Sequence, residues 1–280
     1  LQGDGGMIFR KLELSDFRNI KSLSMQPCEG VNIICGENAQ GKTNLMEAMW
    51  LFTGAKSFRK TKDSEFIKIG EEKACLYADF FAEGREQSAE ISFSPSKAIK
   101  KNGIDMRSAA EYAGTCGGVV FSPGQMNLFR DGPKERRRLA DTSLCQLYPK
   151  YISLLADYKK VLEQRNAMLR DAKFHSSLLD MIEVYDAQLA RLGGNILKTR
   201  INYCESLNRK AVEIYAGMSG GKEKFAAEYL STCLEHGEHA NSSMSTQSLA
   251  QKFYEKLYAS RGADIEHGTT SVGPHRDDIE

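Results

Sequence analysis

Alternating apolar and polar residues mark the first third of the chain, which is the pattern of β-strands with one buried face. Residues 8–14 alternate in this way, and Asn102-Gly103 is a typical hairpin turn between two further strands. The apolar run at residues 31–35 predicts a buried strand directly before a glycine, and residues 44–52 have helical spacing. Further strands are predicted at residues 73–81, 90–93 and 117–121.

The middle of the chain has helical spacing instead. Apolar residues recur every three, four or seven positions over residues 147–174, and a spacing near 3.5 continues over residues 182–214. Two long helices with a break at residues 175–177 predict an antiparallel helical hairpin. A short strand is predicted at residues 225–230 and a last helix at residues 246–260.

The composition is that of a soluble globular protein. Apolar residues make up 41% and charged residues 27% of the chain, which excludes a disordered tail, a collagen-like fibre and a polytopic membrane protein. No stretch approaches the roughly 20 apolar residues of a membrane helix. The length of 280 residues corresponds to about two domains. Residues 1–6 are polar and glycine-rich, and we interpret them as an added leader outside the fold.

The cysteine content indicates the cellular compartment, whereas the net charge does not indicate what the protein binds. The 38 basic and 37 acidic residues give a net charge of +1, which does not by itself indicate a nucleic-acid-binding protein. The seven cysteines include no Cys-x-x-Cys pair, so reduced thiols in the cytoplasm are expected. Cys233, His236 and His239 match neither common zinc spacing and lack an evident fourth ligand, which argues against a metal site.

The strongest chemical motif is a complete G-x-x-x-x-G-K-[ST] phosphate-binding loop between a predicted strand and a predicted helix. Its glycines permit backbone geometry that a side chain would hinder, and its N–H groups point at phosphates. Lys42 supplies positive charge to the β- and γ-phosphates, and Thr43 offers its hydroxyl to Mg²⁺. The motif therefore predicts a nucleoside triphosphate with Mg²⁺ as the ligand, and the family resemblance described below implies that the nucleotide is ATP. The loop residues are Gly36, Glu37, Asn38, Ala39, Gln40, Gly41, Lys42 and Thr43.

Six further motifs surround this loop along the chain. They are Asp16-Phe17-Arg18-Asn19-Ile20, Ser57-Phe58-Arg59, Phe121-Ser122-Pro123, Gly132-Pro133-x-x-Arg136-Arg137-Arg138-x-x-Asp141, Gln164-Arg165-Asn166 and Gly273-Pro274-His275-Arg276-Asp277-Asp278. In this order they resemble the RecF family of bacterial recombination mediators, whose ATPase head is similar to those of SMC proteins and ABC ATPases. The resemblance runs from Met7 to Glu280.

The resemblance implies an α/β fold in which a P-loop, ABC/SMC-like ATPase lobe with a mixed sheet carries an inserted α-helical arm domain. The lobe is expected at residues 7–122 and the arm at residues 123–264, and residues 265–280 are expected to return to the lobe. The family also implies an ATP-dependent homodimer, slow hydrolysis, and binding to gapped single- and double-stranded DNA. The implied role is DNA repair, replication and recombination, assisting RecA loading with RecO and RecR as partners.

The resemblance extends the nucleotide site beyond the loop. Arg18 and Asn19 lie in a turn before it, and the arginine there reaches the nucleotide in SMC-like heads; a solvated surface turn is the alternative. Asn44 and Arg59 are further predicted nucleotide-binding residues, although Arg59 also fits a solvated loop. Gln125 stands where RecF members usually carry an acidic residue. It is either a catalytic Q-loop residue near Mg²⁺ and the attacking water, or an ordinary loop glutamine.

Two motifs that the resemblance requires are not found in this sequence. RecF-like heads need an ABC signature and a Walker B strand that ends in acidic residues, and the chain ends before the place where both are expected. Without them, phosphoryl transfer loses much of its positioning and electrostatic stabilisation. We therefore expect this fragment to bind nucleotide weakly and to hydrolyse it hardly at all, while the full-length protein is an ATPase.

Two basic clusters are candidates for DNA contact. Such clusters neutralise phosphates and make binding depend on salt concentration. Both clusters also fit an exposed surface without a partner. Acidic residues lie within and near the cluster at residues 134–138, and the cluster at residues 100–101 lies beside a turn. The candidates are Lys134, Arg136, Arg137 and Arg138, and more weakly Lys100 and Lys101.

Two other functions are compatible with the same phosphate loop. A P-loop small-molecule kinase usually continues with βαβ repeats and a lid, whereas this chain predicts antiparallel strands and a long helical hairpin. A structural scaffold that uses nucleotide as a folding cofactor is the third possibility. ATP-dependent DNA binding distinguishes the recombination mediator from both.

Overall fold

The computed structural model describes residues 7–59, 61–94, 96–122, 130–172, 174–175, 179–235 and 237–280. These residues form two compact units. The first contains the described residues up to Phe121 together with Cys145–Pro149, and the second contains those of Ser122–Leu144 and Lys150–Glu280. The predicted leader, Gln125 and His236 lie outside the described residues. No helix within the described ranges is long and apolar enough to cross a membrane.

The first unit is built on a six-stranded sheet. Its strands are β1 (Ile8–Phe17), β2 (Ile20–Met25), β3 (Ala74–Ala82), β4 (Arg85–Phe93), β5 (Lys97–Lys101) and β6 (Ile104–Asp105). The order across the sheet is β2-β1-β3-β4-β5-β6, and each described neighbouring pair runs antiparallel. The predicted hairpin is confirmed, because Asn102 and Gly103 adopt φ angles of 52° and 77° between β5 and β6.

One face of this sheet packs against helix α1 (Lys42–Leu51). Apolar residues alternate along β1 and β3, so every second side chain reaches the core. Phe66, on a 3₁₀ turn at Asp63–Phe66, stacks on Phe17 at 5.5 Å and contacts Phe93 at 4.8 Å between ring centroids. This aromatic cluster joins the end of β1 to the 3₁₀ turn and to β4. A four-residue helix, α2 (Ala109–Tyr112), completes the unit.

Two predicted strands of the first unit are wrong. Residues 31–35 and 117–121 form no strand, and the side chains of Val31, Ile33, Val119 and Phe121 are largely exposed. A strand is stabilised by hydrogen bonds to a neighbouring strand, and no described strand pairs with either segment. The apolar pattern therefore predicted two buried strands, but no described strand lies beside either segment to pair with it.

The second unit contains the predicted helical hairpin. Helix α3 spans Pro133–Leu147, α4 spans Lys150–Ala172 and α5 spans Leu179–Ser219. The α4 and α5 helices pack against each other, which confirms the hairpin. The spacing of their apolar residues gives each helix one buried stripe, with Tyr158 on α4 and Leu189 on α5 fully or nearly buried.

Helix α6 (Thr246–His267) packs against α5 where α5 carries two consecutive glycines. A Cβ atom on Gly193 would lie 2.4 Å from the Phe253 ring, and one on Gly194 would lie 2.8 Å from the Ala250 Cβ. The glycines therefore permit a close approach of two helices, and α5 continues through them. The predicted last helix is confirmed but is longer, because it continues to His267 and is capped by Gly268, which has a left-handed conformation.

The last residues of the chain belong to the second unit. Strand β7 (Tyr229–Leu230) pairs with β8 (Asp278–Ile279), within the region where a strand was predicted at 225–230. The domain boundaries proposed from the sequence stay a prediction. The sequence predicts that residues 265–280 return to the first lobe, whereas the structure groups them with the second compact unit.

Candidate nucleotide-binding site

The phosphate loop adopts the backbone geometry that its sequence implies. Gly36 and Gly41 have φ angles of 148° and 99°, and Ala39 has a φ of 66°, which L-residues rarely adopt. Gly41 is the N-cap of α1, so the helix begins at Lys42. The N–H groups in the first turn of a helix have no intrahelical partner and attract anions. This end of α1 is therefore suited to a phosphate group.

The Lys42 side chain bends back over the loop. Its Nζ donates to the backbone oxygens of Gly36 at 2.7 Å and Glu37 at 2.6 Å. The positive charge is thus held beside the loop's backbone, next to the start of α1. Thr43 follows directly and is exposed. A lysine and a hydroxyl at these two positions are the groups that P-loops use for phosphate and for Mg²⁺.

The β1–β2 turn supports the loop from the side. Asn19 Nδ2 donates to the Ala39 carbonyl at 3.0 Å, and Asn44 Nδ2 donates to Asn19 Oδ1 at 2.8 Å. A Cβ atom on Gly41 would lie 3.0 Å from Asn19 Oδ1, so glycine allows this close contact. Two of the predicted site residues, Asn19 and Asn44, therefore hold the loop in place through side-chain hydrogen bonds.

Arg18 is anchored below the loop by a buried carboxylate. Its Nε and Nη2 donate to Glu47 at 2.7 and 2.9 Å, and Nη2 also donates to the Thr61 hydroxyl at 2.8 Å. The guanidinium carbon lies 5.1 Å from the centre of the Phe66 ring. With only 14% of its side chain exposed, Arg18 is held on several sides. Two parallel N–H···O bonds give this ion pair a defined geometry.

Arg59 reaches the same cluster and remains more exposed. Its Nη1 donates to Asn44 Oδ1 at 2.7 Å and lies 3.5 Å from Glu47 Oε2. Its backbone N–H donates to the Ser57 hydroxyl at 3.0 Å, and that hydroxyl donates to Glu47 in turn. The Arg59 side chain is 41% exposed. A partly exposed cation thus stands next to the residues that support the phosphate loop.

The structure brings together the predicted residues Arg18, Asn19, Asn44 and Arg59, and their contact with nucleotide stays a prediction. Gln125 lies outside the described residues. Sequence reasoning missed Glu47, to which both arginines bind. One signal was present: an acidic residue lies among the apolar residues Leu45, Ala48 and Leu51 on the buried side of a helix. Buried carboxylates are rare unless they are paired.

The Gly-Pro-His-Arg-Asp-Asp motif is built into the second unit. A Cβ atom on Gly273 would lie 2.5 Å from the Phe253 ring, so the segment packs tightly there. The His275 ring contacts the Thr270 carbonyl through Nε2 at 3.2 Å and the Tyr158 hydroxyl through Nδ1 at 2.8 Å. Since a carbonyl only accepts, Nε2 carries the proton and Nδ1 accepts from Tyr158. Burial lowers the pKa of His275 to about 4, so the ring is neutral.

We expect the native state to lose stability as the pH falls from about 6.5 towards 4, because the unfolded chain protonates His275 and the folded chain does not. The folded pKa lies below the unfolded one, so this contribution is fully present above pH 6.5. Its size is about 3 kcal/mol at most. Urea unfolding at several pH values is expected to show a flatter pH dependence for His275→Gln than for the wild type. Equal slopes in the two proteins would contradict this assignment.

Asp277 is the most enclosed acidic group of this segment. It accepts hydrogen bonds from the Tyr229 hydroxyl at 2.7 Å, the Ser231 hydroxyl at 3.0 Å, and the N–H and hydroxyl of Thr232 at 2.7 and 2.8 Å. Burial raises the pKa of Asp277 above its ordinary value, and the hydrogen bonds act in the opposite direction. The carboxylate therefore joins the 229–232 segment to the end of the chain.

Part of the predicted DNA-contact cluster is used within the protein. Arg136 on α3 forms a two-point pair with Asp278 at 2.9 and 2.6 Å, and Arg137 donates to the backbone oxygen of Asp277. Arg138 pairs with a glutamate one turn away on its own helix. These contacts give the arginines a structural role in the second unit, and their predicted contact with DNA stays a prediction.

The remaining basic candidates differ in exposure. Lys134 lies on the first turn of α3 and is exposed. Lys100 and Lys101 lie on β5 and are partly buried, and Lys101 Nζ donates to the Thr115 hydroxyl at 3.0 Å. Lys134 therefore has the surface position that a phosphate contact requires.

Comparison with known proteins matches both the head and the chain as a whole. Residues 7–109 match the family model described as AAA ATPase domain. The "DNA replication and repair protein RecF" of Clostridium perfringens (strain SM101 / Type A) is 35% identical over 275 residues, which cover 98% of this chain and 73% of that protein. The protein of the same name from Lachnoclostridium phytofermentans is also 35% identical, over 98% of this chain and 72% of that protein.

Solved structures agree with these sequence matches. A structure described as the recombination mediator protein RecF-ATPrS in the RecFOR pathway has a TM-score of 0.91 and 32% identity, covering 98% of this chain and 73% of that one. A RecF-ATP structure has a TM-score of 0.87 and 32% identity, covering 99% and 74%. The predicted α/β class, with a P-loop ATPase-like head and a long helical segment, is confirmed.

Proposed function

Since this chain belongs to the RecF family, we propose that it is an ATP-binding recombination mediator whose binding to DNA depends on ATP. The observation that carries the proposal is the phosphate loop. Lys42 lies over the loop at the start of α1, and Asn19 and Asn44 support the loop from the side. A helix N-terminus and a lysine at one place favour the triphosphate of a nucleotide.

Mg²⁺ is the metal that the loop's donor chemistry fits. Thr43 is exposed at the first turn of α1 and offers a hydroxyl oxygen, a hard ligand of the type that Mg²⁺ prefers. Mg²⁺ keeps most of its water ligands and the nucleotide supplies phosphate oxygens, so one protein oxygen is enough at this position. When bound, the ion neutralises charge on the β- and γ-phosphates. Lys42 then supplies a second positive charge to the same phosphates.

The proposed partners are single- and double-stranded DNA at gaps, RecO and RecR directly, and RecA indirectly, with an ATP-dependent homodimer as the DNA-binding form. The family assignment supports this set, and the structure described as RecF-ATPrS carries the RecFOR pathway in its name. Lys134 is the exposed basic residue that we propose for DNA contact, since it lies on the first turn of α3. A cytoplasmic location is part of the same proposal.

Lys42→Ala is expected to lower ATP affinity about ten- to hundred-fold, because charge-assisted hydrogen bonds contribute about 1.5–3 kcal/mol. It is also expected to abolish the increase in DNA affinity that ATP produces in the wild type. The measurements are equilibrium titration of a fluorescent ATP analogue in the presence of Mg²⁺, and binding of gapped DNA with and without ATP at two salt concentrations.

Lys21→Ala is the matched control, because Lys21 is an exposed lysine on β2 of the same unit. This variant is expected to bind ATP and DNA as the wild type does. If ATP leaves DNA binding of the wild type unchanged and Lys42→Ala has no effect, the proposed function is wrong. Transfer of phosphate to a small metabolite would indicate a kinase instead.

A further inference from the structure

Glu47 is a buried carboxylate that the phosphate-loop motif does not account for. It lies on α1 and its side chain is 0% exposed. Oε1 accepts from Arg18 Nη2 and from the Ser57 hydroxyl, and Oε2 accepts from Arg18 Nε and Arg59 Nη1. A carboxylate has about four acceptor positions, so Glu47 uses its full capacity. Such complete use of one buried carboxylate fixes the geometry of every group that donates to it.

The two arginines of this cluster are held in different ways. Arg18 has Glu47 on two of its nitrogens, a threonine hydroxyl on one of them and the Phe66 ring against its guanidinium. Arg59 has one short side-chain hydrogen bond, to Asn44, and a longer contact to Glu47. The exposed fraction is 14% for Arg18 and 41% for Arg59. Arg18 is therefore the anchor of the cluster, and Arg59 is the member that solvent and a ligand can reach.

The charges of the cluster leave a positive excess beside the loop. Two guanidinium groups, each with one positive charge, face a single carboxylate. Asn44 connects the cluster to the loop, because it accepts from Arg59 and donates to Asn19, which in turn donates to the Ala39 carbonyl. A nucleotide phosphate group has the charge that balances this excess.

We propose that Glu47 is a positioning residue for nucleotide binding, which holds the Arg59 guanidinium beside the phosphate loop so that it contacts the phosphates of a nucleoside triphosphate. It acts on Arg59 directly and through the Ser57 hydroxyl, which binds the Arg59 backbone. Arg18 is assigned a structural role instead of a phosphate contact. The inference rests on the proposed ATP binding, and it adds the residue that organises the site.

The test is a double-mutant cycle on ATP affinity with Glu47→Gln and Arg59→Ala. The amide replaces an acceptor oxygen by a donor that faces guanidinium groups, so Glu47→Gln is expected to lower ATP affinity about ten-fold. Arg59→Ala is expected to have an effect of similar size. The double variant is expected to bind ATP as Arg59→Ala alone does, because Glu47 acts through Arg59. Losses that simply add, or an unchanged affinity in Glu47→Gln, would overturn the proposal.

Two further variants separate positioning from loss of folding. Ser57→Ala removes the hydroxyl between Glu47 and the Arg59 backbone. We expect it to lower ATP affinity about three-fold, which corresponds to roughly half the free energy of one charge-assisted hydrogen bond. This loss is expected only in the protein that retains Arg59. Ser57→Ala carries the test if Glu47→Gln does not fold. Gln87→Met alters another buried polar residue of the same unit, on β4, and is expected to change urea unfolding without changing ATP affinity.

The outcomes distinguish this inference from the proposed function. Binding of ATP by the wild type and its loss in Lys42→Ala support the proposed function, whatever Glu47 does. If those results hold and the Glu47 cycle fails, only the positioning role is wrong. If the wild type does not bind ATP in the presence of Mg²⁺, the proposed function and this inference are both overturned.

Discussion

Arg165→Ala is expected to lower the free energy of unfolding by about 3–5 kcal/mol, because it removes one partner from a buried ion cluster. Arg165 lies on α4 and is fully buried. Its Nε donates to Asp186 on α5 at 2.6 Å, and its Nη1 donates to Asp264 on α6 at 2.8 Å and to the Thr270 hydroxyl at 2.9 Å. One guanidinium thus joins three helices and the loop that follows them.

The size of this effect comes from what the substitution leaves behind. Asp186 and Asp264 are both 0% exposed, and without Arg165 the only described cation near them is Arg261, which binds Asp186 at 2.7 Å. Asp264 then keeps hydrogen bonds from Ser260 and Ser271 but loses its cation, and a buried carboxylate without a counter-charge costs several kcal/mol of desolvation. Urea denaturation followed by far-UV circular dichroism measures the loss directly.

Lys159→Ala is the control on the same helix. Lys159 pairs with Glu163 one turn away at 3.7 Å, and both side chains are largely exposed. Exposed pairs of this kind contribute about 0.3–0.5 kcal/mol. A loss below 1 kcal/mol for Arg165→Ala would show that water or rearrangement replaces the cluster, and would contradict its role as the link between the helices.

The sequence correctly predicted those elements whose formation depends on residues close together in the chain. The phosphate loop, the Asn102-Gly103 hairpin and the helical hairpin each follow from residues close together in the chain, and each is present. The Arg165 cluster joins residues 99 positions apart, as in its bond to Asp264. Such pairings depend on how helices pack, and one sequence contains no signal for them. Arg165 lies in one of the motifs that carry the family resemblance, and that motif does not indicate the partners of its side chain.

The errors have the same physical origin. Residues 31–35 and 117–121 have apolar sequences typical of buried strands, but an apolar run becomes a strand only beside another strand. For the candidate site, the loop motif predicted Lys42 and Thr43 but not Glu47. The role of Glu47 depends on the β1–β2 turn and on the segment after α1, which meet only in the fold.

Asp277→Ala is expected to destabilise the second unit by about 2–4 kcal/mol, because it leaves the buried Tyr229 hydroxyl and several partly exposed donors without their acceptor. The donors are the Tyr229, Ser231 and Thr232 hydroxyls and the Thr232 N–H. An unsatisfied buried group such as the Tyr229 hydroxyl costs about 1–3 kcal/mol, and the Ser231 and Thr232 donors cost less because water can reach them. Thermal and urea unfolding of the variant measure the total.

Asp277→Asn separates charge from hydrogen bonding. The amide keeps the size of the side chain and one acceptor oxygen, and burial raises the pKa of Asp277, so the loss of charge itself is tolerated. We therefore expect Asp277→Asn to cost roughly half as much as Asp277→Ala. Arg276→Ala is the control: the side chain of this neighbouring exposed residue donates to the Thr270 carbonyl, which the His275 ring also contacts, so a cost of about 1 kcal/mol is expected.

Hydrogen exchange locates the effect of Asp277→Ala within the chain. The carboxylate joins residues 229–232 to the segment that contains β8, and the Glu228 and Glu280 backbones exchange two hydrogen bonds at 2.6 and 3.0 Å beside it. The amides of Glu228 and Glu280 are therefore expected to lose protection before those of α4 and α5. Uniform loss across the unit would instead mean that Asp277 stabilises the whole helical packing. Unchanged protection of both glutamates would show that the motif ending in Asp278 does not stabilise the second unit. A role for its acidic residues in ligand binding or catalysis would then be the alternative.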